Sequence, residues 1–193
     1  MTAGPFTNQP GIWRRYWQWK PFKFEGVIYD LAHLHPKQTT YRQAATGDKP
    51  EREYRVDVIF SMHCFTRGMK DGETPDAALL YRDSRECRIF DFRRYRLSKY
   101  LPAIVEELHK RKCYHSGRGN FFVVEIITED GGRADYEIFF EASRSSTKGV
   151  VNLYVQSAYV RDTRHANRPK KKPIGLTVIL YNTLNNKPIK IPA

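Results

Sequence analysis

The hydrophobic pattern is clearest between residues 119 and 162. Residues 121–127 are apolar on both alternating sets of positions, which predicts a strand covered on both faces. The Asp-Gly-Gly sequence at 130–132 tolerates the positive φ values of a tight hairpin, so the chain is expected to reverse there. The next two strands are marked by the alternating apolar residues Tyr136, Ile138 and Phe140, and then Val151, Leu153 and Val155. The pattern predicts an antiparallel meander with one face on the core and the other open for a ligand.

A helical pattern precedes the meander, at residues 101–112. Pro102 is tolerated in a first turn, and the basic run at 110–112 suits the negative end of the helix dipole. Leu101, Ile104, Val105 and Leu108 fall on one side. We therefore expect one main helix that packs on the meander.

Weaker patterns predict further strands. Residues 24–31, 54–65 and 87–92 each suggest a strand in the N-terminal half. In the C-terminal half, the alternation of Ile174, Leu176, Val178 and Leu180 predicts a strand, residues 182–187 a turn, and Ile189 with Ile191 a terminal hairpin.

Together these elements predict an α+β fold, with a curved antiparallel β-sheet meander packed on one main helix. A chain of 193 residues is long enough to bury a substantial core. We expect a basic, aromatic arm at 1–20 and a single α+β domain at 21–193. Within that domain, 21–92 form a β-rich half and 93–193 form the helix and the meander.

Composition adds a functional expectation. The formal net charge is +12, and 13% of the residues are aromatic. Cations meet phosphates and rings stack on bases, so this combination favours RNA or DNA as a partner, with an acidic protein as the alternative. Three scattered cysteines, no apolar run of membrane length and no signal-peptide pattern predict a cytoplasmic protein without a membrane partner.

Two basic segments are candidate nucleic-acid contacts. The arm IWRRYWQWKPF offers Arg14, Arg15 and Trp17, although its tryptophans, four residues apart, could instead dock the arm on the core. The loop RDTRHANRPKKKP has one acidic residue and could grip a phosphate backbone, or be an ordinary exposed connection. Its candidate residues are Arg164, Arg168, Lys170, Lys171 and Lys172.

Both ends of the meander carry residues suited to acid–base chemistry. YHSGRG precedes its first strand, SAYVRD ends its third, and Arg133 lies at the hairpin; the candidate catalytic residues are His115, Arg118, Arg133, Tyr159 and Arg161. A metal-independent ribonuclease needs a base, an acid and a cation near the phosphorane, and it needs no cofactor. Topology places the start of the first strand and the end of the third toward opposite edges unless the sheet curls. The alternative is a packed Tyr159 and a solvated His115.

Metal sites are weaker hypotheses. His33 and His35 are similar to the paired-histidine motif of rolling-circle replication endonucleases, but Pro36 ends that segment at once. Cys64, Cys87 and Cys113 have no paired C-x-x-C spacing, so structural cysteines are favoured over a zinc site. No metal ligand is therefore predicted.

The order of a helix followed by the meander, ending in LYVQSAYVRD, resembles the toxin-type ribonuclease superfamily that groups barnase, EndoU, colicin-type and RelE-like nucleases. That resemblance covers residues 101–181 and implies a basic sheet face lined by His, Arg and Tyr. The strings IYDLAHLHP, VDVIFSMHCFTR and YVQSAYVRD also resemble uncharacterised proteins of prophages and genomic islands.

These observations lead to three functional hypotheses. The first is a nucleic-acid-acting protein of a mobile element, namely a metal-independent endoribonuclease of toxin type. The second is a non-catalytic nucleic-acid-binding or inhibitory module, and the third is a structural component that binds an acidic protein. Loss of RNA cleavage in His115→Ala or Tyr159→Phe would separate the first from the others.

Overall fold

A seven-stranded sheet organises the molecule. The computed structural model describes residues 18–48, 50–117, 120–129, 132–161 and 172–190. The strands are β1 (Phe22–Phe24), β2 (Val27–Tyr29), β3 (Lys37–Gln43), β4 (Arg52–Phe60), β5 (Thr66–Arg67), β6 (Leu80–Arg82), β7 (Cys87–Phe90), β8 (Cys113–His115), β9 (Phe121–Glu129), β10 (Gly132–Arg144), β11 (Val150–Val160) and β12 (Lys172–Ile174). The helices are α1 (Phe92–Ser98), α2 (Leu101–Glu106) and α3 (Leu176–Leu184), and short 3-10 turns cover Ala32–Leu34, Met62–Cys64, Ala77–Leu79 and Leu108–Lys110.

The predicted meander forms the centre of this sheet. β9, β10 and β11 pair in antiparallel fashion, and β10 opposes Phe121 of β9 with Phe140. The pairing of β10 with β11 shifts register between Phe139 and Phe140, and a bulge of this kind bends a strand and increases its twist. The meander is therefore curved at its middle rather than flat.

Both edges of the meander are extended. The strand order is β12-β8-β9-β10-β11-β4-β3. β4 lies parallel to β11, with Val56 beside Val151 and Phe60 beside Val155. Alternation within β4 predicts a strand, but it carries no information about its partner. This strand pairing joins the N-terminal half to the C-terminal meander, and the Met62–Cys64 turn also contacts β11.

The C-terminal segment corrects the sequence prediction. The alternation at 174–180 suggested a strand, but the chain forms β12 and then α3. Leu176, Ile179 and Leu180 are buried, whereas Val178 is 48% exposed. Spacings of three and four residues define one face of a helix, and this face packs on β10 and β11.

The predicted single main helix is also not found. Residues 101–112 form α2, which ends at Glu106, and a separate 3-10 turn. The described residues contain three α-helices of six to nine residues. Asp91 caps α1, because its side chain accepts a hydrogen bond from the backbone N–H of Arg94. The coarser assignment holds: a curved β-sheet is combined with helices.

The predicted strand at 24–31 is a hairpin. Glu25 and Gly26 have φ values of 48° and 76°, the left-handed conformation that a two-residue turn between antiparallel strands requires. β1 and β2 therefore pair with each other. Phe22 stacks on Phe90 of β7 with ring centres 4.0 Å apart, which anchors the hairpin on the small β5-β7-β6 sheet.

The two sheet faces differ in what they hold. One face packs under α2 and α3 and carries residues such as Val58, Phe140 and Leu153. On the opposite face, four rings run across neighbouring strands with centres 5.3–5.8 Å apart: Tyr114, Phe122, Phe139 and Tyr159. Phe122 is fully buried there. Aromatic side chains therefore cover part of this face.

No helix among the described residues has the length and apolar character needed to cross a membrane.

Candidate functional site

A polar cleft lies on the α3 side of the sheet. Its volume is about 460 Å³. The walls are the strand ends of β8, β9 and β10 and the last turns of α3. The lining residues are His115, Phe121, Ala142, Ser143, Arg144, Asn182, Thr183, Asn186, Lys187 and Ile189. None of them is an aspartate or a glutamate, so the cleft has a positive lining.

His115 is fixed in one orientation at the inner wall. The residue is 6% exposed, and its ring meets the edge of Phe121 at 5.3 Å. The backbone N–H of Gly117 donates to Nδ1 over 2.8 Å. A neutral imidazole has one donor and one acceptor nitrogen, so the proton lies on Nε2. No hydrogen bond joins Nε2 to another described residue, and His115 lines the cleft.

Four cations lie near α3 or the cleft, and one of them, Arg52, lines a separate pocket beside α3. Arg144 and Lys187 line the cleft, Lys172 pairs with His115 across β12 and β8, and Arg52 lies over the ring of Tyr181 in α3. Among the described residues none of the four forms an ion pair with a carboxylate. Some cations elsewhere on the molecule are paired with a carboxylate, for example Arg67 with Glu73 over 2.5 Å. The charge around α3 is therefore available for an external anion.

Arg52 and Lys187 create a positive environment at the ring of Tyr181. Its pKa is lowered from the ordinary value, first by a hydrogen bond with Lys187, then by the charge of Lys187 and the charge of Arg52. The two cations lie 5.1 Å and 4.4 Å from the ring centre. Nearby cations favour the phenolate form, so an anion is stabilised at this surface.

The end of α3 positions Lys187. Asn186 adopts φ 53°, the left-handed conformation that commonly ends a helix. The backbone N–H of Lys187 then donates to the carbonyl of Asn182 over 2.8 Å, and Pro188 prevents the helix from continuing. The sequence Asn-Asn-Lys-Pro thus turns a cationic side chain toward the cleft.

A second polar cluster lies on the opposite sheet face, at the end of β11. Glu137 is 3% exposed and forms a two-point ion pair with Arg161: Nε lies 2.8 Å from Oε1 and Nη2 lies 2.6 Å from Oε2. The carboxylate of Glu137 raises the pKa of Arg161 through this hydrogen bond. The guanidinium carbons of Arg94 and Arg161 lie 5.3 and 5.9 Å from the centre of the Tyr159 ring. Burial is the main cause that raises the pKa of Tyr159.

The structure separates the candidate catalytic residues. Tyr159 and Arg161 come together, and Arg133 is exposed on β10 near the same hairpin end, where the N–H of Arg161 donates to the carbonyl of Asp135. His115 lies on the other face, three strands away, which corresponds to about 14 Å across the sheet. Arg118 lies outside the described residues. The bulge in β10 does not bring the two groups together.

Of the candidate nucleic-acid contacts, Lys172 is described, beside His115 at the edge of the cleft. The others lie outside the described residues: Arg14, Arg15, Trp17, Arg164, Arg168, Lys170 and Lys171.

Comparison with known proteins identifies the family. The model of the YjaZ family matches residues 21–184. The chain is also 32% identical to protein YjaZ of Escherichia coli strain K12 over 179 residues, which is 91% of this chain and 96% of that protein. The chain belongs to the YjaZ family. No solved structure gives a significant match.

This membership corrects the resemblance drawn from the sequence. The family match spans both halves of the chain, whereas the resemblance to toxin ribonucleases covered residues 101–181 alone. The assignments to that superfamily and to prophage or genomic-island proteins were wrong. A helix followed by a meander is a common arrangement, and element order without a matching motif does not identify a family.

Within the described residues of this YjaZ-family chain, no three His, Cys, Asp or Glu side chains are grouped to hold a metal ion. His33 Nε2 lies 2.8 Å from Ser98 Oγ, and His35 Nε2 lies 3.2 Å from the carbonyl of Trp19. Burial raises the pKa of the Cys64 and Cys113 thiols to about 12. Both thiols are therefore less acidic than an exposed cysteine.

Arg52, Arg144 and Lys187 were not predicted as functional residues from the sequence. Each of these cations lies in a segment of mixed composition, outside the runs of basic residues that were used to select candidates. The available signal was the Asn-Asn-Lys-Pro string, which is typical of the end of a helix, but the strand assignment at 174–180 concealed it.

Proposed function

We propose that this YjaZ-family protein binds RNA or DNA through the cationic surface around α3, without a cleavage step. The observation that carries the proposal is the cleft beside His115, whose lining contains Arg144 and Lys187 but no carboxylate. Lys172 and Arg52 extend the positive surface on two sides.

Phosphate binding is the chemistry that best uses this arrangement. A polyanion gains from cations that are not already neutralised, because counterions are released when phosphates replace them. Lys172, the last residue of the basic run in the sequence, pairs with His115 at the edge of the cleft. The formal net charge of +12 adds long-range attraction for such a partner.

A binding role is preferred to a catalytic one on geometric grounds. General acid–base cleavage needs both proton-transfer groups within hydrogen-bond reach of one phosphate. His115 and Tyr159 lie on opposite faces of the sheet and cannot meet this requirement together. The proposal therefore assigns His115 to ligand binding and Tyr159 to packing between two arginines.

The test is fluorescence anisotropy with labelled single-stranded RNA and with DNA over a range of salt concentrations. The double variant Arg144→Gln/Lys187→Gln removes two proposed phosphate contacts. We expect weaker binding and a fall of about 1.4 in the slope of log K against log salt, from about 0.7 per contact on a single strand.

The matched control is Lys23→Gln/Lys70→Gln, which removes the same charge from two exposed positions away from the cleft. An equal loss of affinity in both double variants would mean that the effect comes from the net charge of the protein. No binding by the unmodified protein would overturn the proposal.

Incubation with total RNA, with and without EDTA, tests for cleavage. Cleavage in either condition would contradict a purely binding role.

A further inference from the structure

The cleft beside His115 has features that a continuous phosphodiester strand does not need. Its volume of about 460 Å³ falls within the range of small-molecule sites, about 300–1,000 Å³. Arg144 and Lys187 provide charge, and apolar surface comes from Phe121, Ala142 and Ile189. Such a cleft can hold one charged group together with a less polar body.

Its charge matches a phosphate monoester. A monoester carries about −1.5 to −2 charges at neutral pH, whereas each internal diester of a strand carries one. Two full cations line the cleft, and neither forms an ion pair with a carboxylate of the described residues. Hydroxyl and amide groups from Ser143, Asn182, Thr183 and Asn186 complete the lining. The three terminal oxygens of a monoester can accept hydrogen bonds from more of these groups than the two free oxygens of a diester can.

His115 supplies the directional contact. The hydrogen bond from Gly117 to Nδ1 fixes the tautomer, and the edge contact with Phe121 fixes the ring. Among the described residues Nε2 has no other partner, so its N–H can donate to a phosphate oxygen, and such a hydrogen bond is charge-assisted. Preorganisation of this kind raises affinity because the imidazole does not have to be ordered on binding.

We infer that this cleft binds a phosphate monoester, either the terminal phosphate of a nucleic-acid strand or a free nucleotide, with His115 Nε2, Arg144 and Lys187 as its contacts. This inference rests on the proposed function and specifies the part of the nucleic acid that is recognised.

The experiment compares oligonucleotides of one sequence that carry a 5′-phosphate, a 3′-phosphate, only hydroxyl ends, or no ends because they are circular. We expect one phosphorylated form to bind about tenfold tighter than the hydroxyl form. The advantage should disappear in His115→Phe, which keeps the ring and removes the donor, and should persist in His109→Phe.

Competition separates the two sources. If a nucleoside monophosphate displaces the oligonucleotide, a free nucleotide is sufficient for binding at the cleft. If only a phosphorylated strand displaces it, the cleft recognises strand ends. Inorganic phosphate serves as the reference competitor. Melting curves of both histidine variants check that they are folded, and the comparison of oligonucleotides with the unmodified protein does not depend on either variant.

Equal affinity for phosphorylated, hydroxyl-ended and circular forms would overturn this inference and leave the proposed function standing. Failure to bind any of them would overturn both.

Discussion

The pair of Glu137 and Arg161 is the most strongly buried ion pair described. The side chain of Glu137 is 3% exposed and that of Arg161 is 11% exposed. Each charge has lost most of its contact with water, and the charge of its partner replaces that contact. Removing one partner leaves an uncompensated charge in a medium of low polarity, whereas removing both does not.

We therefore predict that Arg161→Met lowers the free energy of unfolding by about 3–5 kcal/mol. The double variant Glu137→Met/Arg161→Met should lose less than the single variant, because no lone carboxylate remains. Urea denaturation measures both. A double variant less stable than the single one would mean that the pair itself contributes most of the stabilisation.

The three cysteines should differ in reactivity. Cys64 and Cys113 are buried, with pKa values raised to about 12, whereas Cys87 is partly exposed. Because the thiolate is the reactive form, we predict that a thiol reagent at pH 8 modifies Cys87 in the native protein, and the other two only after unfolding. Mass spectrometry of the modified peptides checks this assignment. Rapid modification of all three would contradict the burial of β8 and of the Met62–Cys64 turn.

The same thiols give stability a pH dependence. The folded protein holds their protons up to a pKa of about 12, while the unfolded chain releases them near 9. The stabilisation is thus complete below pH 9 and is lost as the pH rises from 9 to 12. Each thiol contributes a slope of about 1.4 kcal/mol per pH unit. Cys113→Ala should reduce the slope by that amount in denaturation series at several pH values, and an unchanged slope would contradict it.

At the scale of elements, the meander was predictable and α3 was not. Alternation, the Gly-rich turn and the apolar run of β9 each indicate strands, and all are local properties. Leu176, Val178 and Leu180 alternate, yet Leu176, Ile179 and Leu180 also follow helical spacing. A short apolar run fits both periods, so its contacts decide the outcome.

This ambiguity yields a direct test of α3. Ile179 is fully buried in the helix and Val178 is 48% exposed, whereas a strand would bury Val178 and expose Ile179. We predict that Ile179→Ala costs about 2–5 kcal/mol of unfolding free energy and Val178→Ala about 0.5 kcal/mol or less. The reverse order in chemical denaturation would support the strand.

At the scale of the whole molecule, β4 links the two halves. Val56, Val58 and Phe60 are 0–2% exposed, and they lie in a sheet with Val151, Leu153 and Val155 of β11. The paired residues of β4 and β11 are about 95 positions apart in the sequence. This parallel pair therefore forms only when both halves of the chain are folded.

We accordingly predict that β4 and β11 unfold together. Native-state hydrogen exchange should give the amides of Val58 and Leu153 the same free energy of opening and the same denaturant dependence. Exchange of β4 at a much lower free energy than β11 would indicate that the N-terminal half opens on its own.

The sequence by itself determined the β-rich character, the meander and the excess of positive charge, because alternation, turn residues and composition act over a few positions or over the whole chain. Only the tertiary structure decided that β4 joins β11 in parallel, that α3 is a helix, and that His115 faces away from Tyr159. It also decided which cations keep their charge unneutralised, since Arg52, Arg144 and Lys187 come from separate segments. Such proximity depends on long-range packing, which no local pattern encodes.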